Sequence, residues 1–124
     1  MGLDQYAFAR AETTTPREEW TELAYWRKHN RLQGWMEDLW NSRGKPDKNE
    51  EDDFFNCIPL PLTTADLDVL EVTLREKALP KTEGFFFGED SYSRPDLIKE
   101  DLRFIVAARA ALDQGLEVFY YCWW

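Results

Sequence analysis

The sequence predicts one α+β domain spanning 1–124, with a small, mostly antiparallel or mixed sheet packed against about three helices. Three observations carry this. The chain has 124 residues and is 44% hydrophobic, enough for one core and too apolar for a disordered segment. Both ends read as strands. Between them lie stretches of helical spacing, each with a recognisable start or stop signal.

Leu3 to Ala9 sets Leu3, Gln5 and Ala7 against Asp4, Tyr6 and Phe8, the alternation of a strand. Thr15-Pro16-Arg17-Glu18 is a helix start, with Thr15 as cap, Pro16 in the first turn and Glu18 at the capping-box position. The helix is expected to run to about Arg43, where Gly44 and Pro46 stop it, although Gly34 inside it costs roughly 1 kcal/mol relative to Ala. Residues 45–53 are charged and lack apolar side chains, so they form an exposed acidic loop.

Phe54 to Leu60 is a second strand, which Pro59 and Pro61 push to an edge or end early. Thr63-Thr64-Ala65-Asp66 opens a second helix with Leu67, Leu70, Leu74 and Ala78 on one face, and Pro80 closes it. Gly84-Phe85-Phe86-Phe87-Gly88 suits a short strand or a buried loop. Ser93-Arg94-Pro95-Asp96 starts a third helix carrying Ile98, Leu102, Ile105 and Leu112, and Gly115 ends it. Val118 to Trp124 is a strand with no polar face, which points to burial on both faces or to a partner surface. The two terminal strands are of similar length and can pair.

Fifteen basic and twenty-four acidic residues give a net charge of −9. That balance gives no support to direct nucleic-acid binding or to anionic membranes. It suits a cationic protein partner, including a site that normally receives nucleic acid, or simply an acidic surface that keeps the chain in solution. No stretch is apolar for long enough to span a membrane. The N-terminus lacks the pattern of a signal peptide, so Cys57 and Cys122 are expected as free thiols in a reducing cytoplasm.

No cofactor and no metal site is expected: there is one histidine, His29, and neither CxxC nor HxxxH. His29 is expected as an interfacial or satisfied imidazole. No catalytic residue is assigned, since GxSxG and phosphate-loop patterns are both missing. The acidic pairs in Glu50-Glu51-Asp52-Asp53 and in Glu100-Asp101 read as solvated surface.

The place where the pattern breaks is Tyr25-Trp26-Arg27-Lys28-His29-Asn30. On a helix, Lys28 falls on the same stripe as Ala24, Leu32, Trp35, Met36 and Leu39. A cation there is paired, snorkels out or serves a ligand. In one reading its stem packs on Trp35 and Leu32 and its head pairs with Asp4. In the other, Tyr25, Arg27, Lys28 and Arg31, with Asp4 nearby, form a site for a small anionic ligand or nucleotide. Six tryptophans are hard to hide in one small domain, so Trp20, Trp40 and Trp124 are expected at the surface.

The segments Met1-Gly2-Leu3-Asp4, Tyr25-Trp26-Arg27-Lys28, Gly84-Phe85-Phe86-Phe87-Gly88 and Phe119-Tyr120-Tyr121 resemble, in this order, a family of small uncharacterised proteins of tailed bacteriophages, cyanobacterial phages above all. The resemblance implies a phage protein acting in the cytoplasm of an infected bacterium. It brings no activity, cofactor or site residue. Joined to the charge and the aromatics, it leads us to expect a non-catalytic accessory protein that binds a host protein or defence complex. The expected contact residues are Trp40, Glu50, Glu51, Asp52, Asp53 and Trp124, and a homo-oligomer is compatible with the same surface.

Overall fold

The computed structural model describes residues 2–51, 53–80, 94 and 96–124. Its elements are β1 (Asp4–Arg10), β2 (Thr21–Arg27), α1 (Asn30–Ser42), β3 (Leu60–Leu62), α2 (Thr64–Arg75), α3 (Leu97–Asp113) and β4 (Glu117–Trp123). The four strands form one antiparallel sheet in the order β2-β1-β4-β3. The α+β class is therefore as the sequence predicts, and the terminal strands do pair, Asp4 opposite Trp123 through Arg10 opposite Glu117. The expected Gly84–Gly88 segment lies outside the described residues.

Register sorts the side chains onto two faces. Gln5, Ala7 and Ala9 of β1 share a face with Ala24 and Trp26 of β2, with Val118, Tyr120 and Cys122 of β4, and with Leu60 and Leu62 of β3. The helices cover this face. Leu32, Met36 and Trp40 of α1, Leu67, Leu70 and Leu74 of α2, and Phe104, Ile105 and Ala108 of α3 are all buried in one core. The opposite face carries Asp4, Tyr6, Phe8, Tyr25, Phe119, Tyr121 and Trp123, and among the described residues the 3₁₀ turn Arg17–Glu19 with Trp20 lies over one part of it.

The long first helix does not form as expected. The Thr15–Glu18 start signal yields one 3₁₀ turn, Arg17–Glu19, after which Trp20 is already extended. Thr21–Arg27 becomes β2 because pairing with β1 outweighs the high helix propensity of Glu22, Leu23 and Ala24. Lys28 then sits in the left-handed region, φ 56°, and turns the chain into α1. His29 caps that helix, its Nδ1 accepting from the Leu32 N–H at 3.4 Å.

The second helix starts as the sequence indicates, with a full capping box between Thr63 and Asp66, but it ends at Arg75 and leaves Ala78 outside. The second strand is shorter than expected. Only Leu60–Leu62 pairs, on the edge of the sheet, and Cys57 upstream has φ 59°. On α3 the buried stripe is Leu97, Asp101, Phe104, Ile105, Ala108 and Ala111, turned slightly from the stripe through Ile98 and Leu102 that the sequence suggests.

Candidate functional site

The outward face is an aromatic layer. Tyr6 stacks on Phe8 with centroids 5.4 Å apart, and Tyr25 tilts against Tyr6 at 5.1 Å. The 3₁₀ turn brings Trp20 down onto Phe119, edge to face at 4.8 Å. Two guanidiniums lie on these rings: Arg10 at 4.3 Å from Phe119 and Arg17 at 5.2 Å from Tyr121. Arg10 is also paired with Glu117 at 2.6 Å. Among the described residues no carboxylate pairs with Arg17.

Trp20 and its turn cover only one end of the face. At the other end Trp123 is 60% exposed and Tyr25 47% exposed. Between Trp123 and Arg17 runs an open groove of about 390 Å³, lined by Tyr6, Arg17, Cys57, Tyr121 and Trp123. The Tyr121 phenol is held above its ordinary value, first by burial and then by its hydrogen bond to Cys57, while Arg17 pulls it down.

The residues expected to form an anion site are partly brought together. Asp4 Oδ1 accepts from the Tyr25 hydroxyl at 2.6 Å and from Arg27 at 2.8 Å. These bonds, the Tyr25 one foremost, lower the Asp4 carboxyl below its ordinary value, and the bond to Asp4 raises Tyr25. Asp4 is thus the mate of Arg27 and Tyr25, not of Lys28. Lys28 lies on no helix stripe at all: its backbone N–H donates to Leu3 O at 2.9 Å in the turn, and Arg94 donates to the carbonyls of Arg27 and Lys28 at 2.7 and 2.6 Å. Arg31 reaches away to the Leu79 carbonyl at 2.9 Å. The MGLD and YWRK segments therefore meet at one end of the sheet, and Asp4, Tyr25 and Arg27 satisfy one another there.

A second polar cluster lies under the helices. His29, buried completely, donates from Nε2 to Asp101 at 2.8 Å, the tautomer assigned because Nδ1 accepts from Leu32. Asp101 also accepts the Trp26 indole N–H at 2.8 Å. Gln5 exchanges bonds with the backbone of His29 at 2.7 and 3.0 Å and donates to the Tyr120 hydroxyl at 2.8 Å. That hydroxyl donates on to Gln33 at 2.6 Å, and Gln33 to Cys122 Sγ at 3.4 Å. The chain of bonds ties α1, α3 and three strands together. Asp101, read from the sequence as solvated, is 1% exposed. Both His29 and Asp101 are buried, and their bonds link elements distant in sequence, so this network helps to hold the fold.

Of the residues expected to meet a partner, Trp40 is a core residue, 0% exposed, its indole donating to Pro46 O at 2.8 Å and stacked on Phe55. Its place on the inward stripe of α1 with Leu32 and Met36 explains the correction. Trp20 and Trp124 are half-buried, and Trp124 donates its indole N–H to Phe55 O at 2.9 Å. Glu50 and Glu51 are exposed, and Asp52 lies outside the described residues. Asp53 is exposed but paired with Lys48 at 3.1 Å and Lys45 at 3.5 Å, which weakens the acidic run.

Trp123, Tyr6, Tyr121 and Arg17 were missed. Strand parity could have found three of them, since it puts Phe119, Tyr121 and Trp123 on one face and Tyr6 on its β1 counterpart. Arg17 has no such signal, because its placement depends on the turn. Among the described residues no three His, Cys, Asp or Glu side chains are grouped to hold a metal ion, and no helix is long and apolar enough to cross a membrane. No protein-family model, no curated protein and no solved structure matches the chain.

Proposed function

We propose that this chain is a binding protein of a tailed bacteriophage that attaches to a host protein, and that the outward sheet face is its contact surface. One observation carries the reading: Trp123 and Tyr25, 60% and 47% exposed, stand on a sheet face at the end away from Trp20 and its 3₁₀ turn. Exposed aromatics at the centre of a patch are what protein interfaces draw on for short-range affinity. The net charge of −9 adds long-range attraction toward a basic partner. The phage origin rests on the MGLD, YWRK, GFFFG and Phe119-Tyr120-Tyr121 segments of the sequence.

The test is capture from infected-cell lysate with the whole chain as bait, beside a Tyr25→Ala/Trp123→Ala double variant. The expected result is one host protein held stoichiometrically by the parent chain and lost from the variant. Capture that survives both substitutions, or no stoichiometric capture, overturns the reading.

A further inference from the structure

We infer that the groove between Tyr6, Arg17, Cys57, Tyr121 and Trp123 is a binding site for a nucleoside monophosphate. This goes beyond the protein-contact reading and does not need it. The argument starts from size. A groove of about 390 Å³ lies at the small end of ligand sites, which run from about 300 to 1,000 Å³, so it takes one small molecule.

The walls decide its chemistry. Tyr6, Tyr121 and Trp123 offer aromatic rings, and every nucleobase has a flat face that stacks on such rings. Among the described residues Arg17 is the guanidinium lining the groove, and no carboxylate among them neutralises it. A planar fork of that kind fits two phosphate oxygens. The Tyr121 hydroxyl and the Cys57 thiol add hydrogen-bonding groups beside the rings. A flat ring joined to one phosphate therefore matches what the groove presents.

Charge then selects the length of the ligand. Binding a nucleic-acid strand draws its affinity from many cations that displace counterions along the backbone. Here the other arginines of the face are engaged, Arg10 by Glu117 and Arg27 by Asp4, and the chain as a whole carries −9. Among the described residues Arg17 is the groove's cation without a carboxylate partner, so the groove holds one phosphate, and the surrounding field repels the next.

The test is a titration of the purified full-length chain with AMP, GMP, CMP and UMP, read by calorimetry and by quenching of tryptophan fluorescence. Adenosine, inorganic phosphate and a ten-residue oligothymidylate are run beside them. At least one monophosphate should saturate with a 1:1 stoichiometry and bind roughly tenfold or more tightly than its nucleoside. Arg17→Gln, at an exposed position, should keep the parent melting temperature and remove that tenfold advantage. Trp123→Ala should remove binding of monophosphate and nucleoside alike in the calorimeter. Failure of all four monophosphates to saturate overturns the inference. So does an unchanged affinity in Arg17→Gln, or an oligonucleotide that binds more tightly than any monophosphate. None of these outcomes touches the lysate capture, so the two readings fail separately.

Discussion

The two faces of the sheet use the same residue types for opposite purposes, and β4 shows both in consecutive positions. Tyr120 points inward, completely buried, and its hydroxyl accepts from Gln5 and donates to Gln33. Burial holds that phenol far above its ordinary value. Tyr121 points outward into the groove, where its hydroxyl meets the Cys57 thiol and the Arg17 guanidinium, which has no carboxylate partner among the described residues. The inward face thus consumes its hydrogen-bonding capacity within the fold, while the outward face leaves aromatic surface and, among the described residues, a guanidinium without a carboxylate. Burial without partners would be costly on the first face; exposure without a ligand is an unusual expense on the second.

The largest effects should come from the inward face. Asp101→Ala strands two buried donors, the Trp26 indole N–H and the His29 Nε2–H. Each stranded group costs about 1–3 kcal/mol, so a loss of roughly 2–6 kcal/mol is expected in urea unfolding. Asp101→Asn keeps one acceptor oxygen and should lose less. A loss below about 1 kcal/mol for the alanine variant would mean that the network is not what distinguishes the two faces.

The next effect is an alkaline one. Burial pushes the Cys122 thiol from 9.0 up to about 12, with the Gln33 hydrogen bond opposing. The sign follows from which state ionises first. Above about pH 9 the unfolded chain gives up this proton while the folded chain keeps it, so stability is full below the unfolded value and falls as pH rises toward 12. Across that whole window the loss approaches roughly 4 kcal/mol. Cys122→Ala should therefore show a shallower loss of stability between about pH 8 and 11, whatever its stability at neutral pH. Equal slopes in the parent chain and Cys122→Ala would refute the account.

How much of this could be read from the sequence follows the same division. Leu67, Leu70 and Leu74, the Thr63 cap and the edge placement of the Pro59–Pro61 segment come from local spacing, and the structure agrees. What went unread depends on contacts distant in sequence. β2 looks helical until β1 pairs with it across a register from Asp4–Arg27 to Ala9–Thr21. Lys28 breaks the pattern only where a helix is extended through it. The break in pattern marked the end of a strand, and the odd residue was the turn itself. Asp101 was misplaced for a related reason: an acid on a helix reads as surface unless its buried partners, 75 and 72 residues away in sequence, are known.

The smallest expected effect on stability is that of Trp123→Ala, and setting it beside Trp40→Ala is the sharpest test of the comparison. Trp40→Ala removes a completely buried ring stacked on Phe55 and should cost about 3–5 kcal/mol. Trp123→Ala removes a ring of the same size that is 60% exposed, so its cost should stay within about 0.5 kcal/mol. The backbone gives no reason for a larger loss, since Trp123 is the last residue of β4 and its neighbour Cys122 still carries the inward packing. Urea unfolding of the two variants side by side measures the difference directly. If Trp123→Ala cost more than about 2 kcal/mol, the ring would be holding the sheet together, and its exposure would no longer argue for a contact surface. If the cost stays small while lysate capture is lost, the outward face has been separated from the fold that carries it.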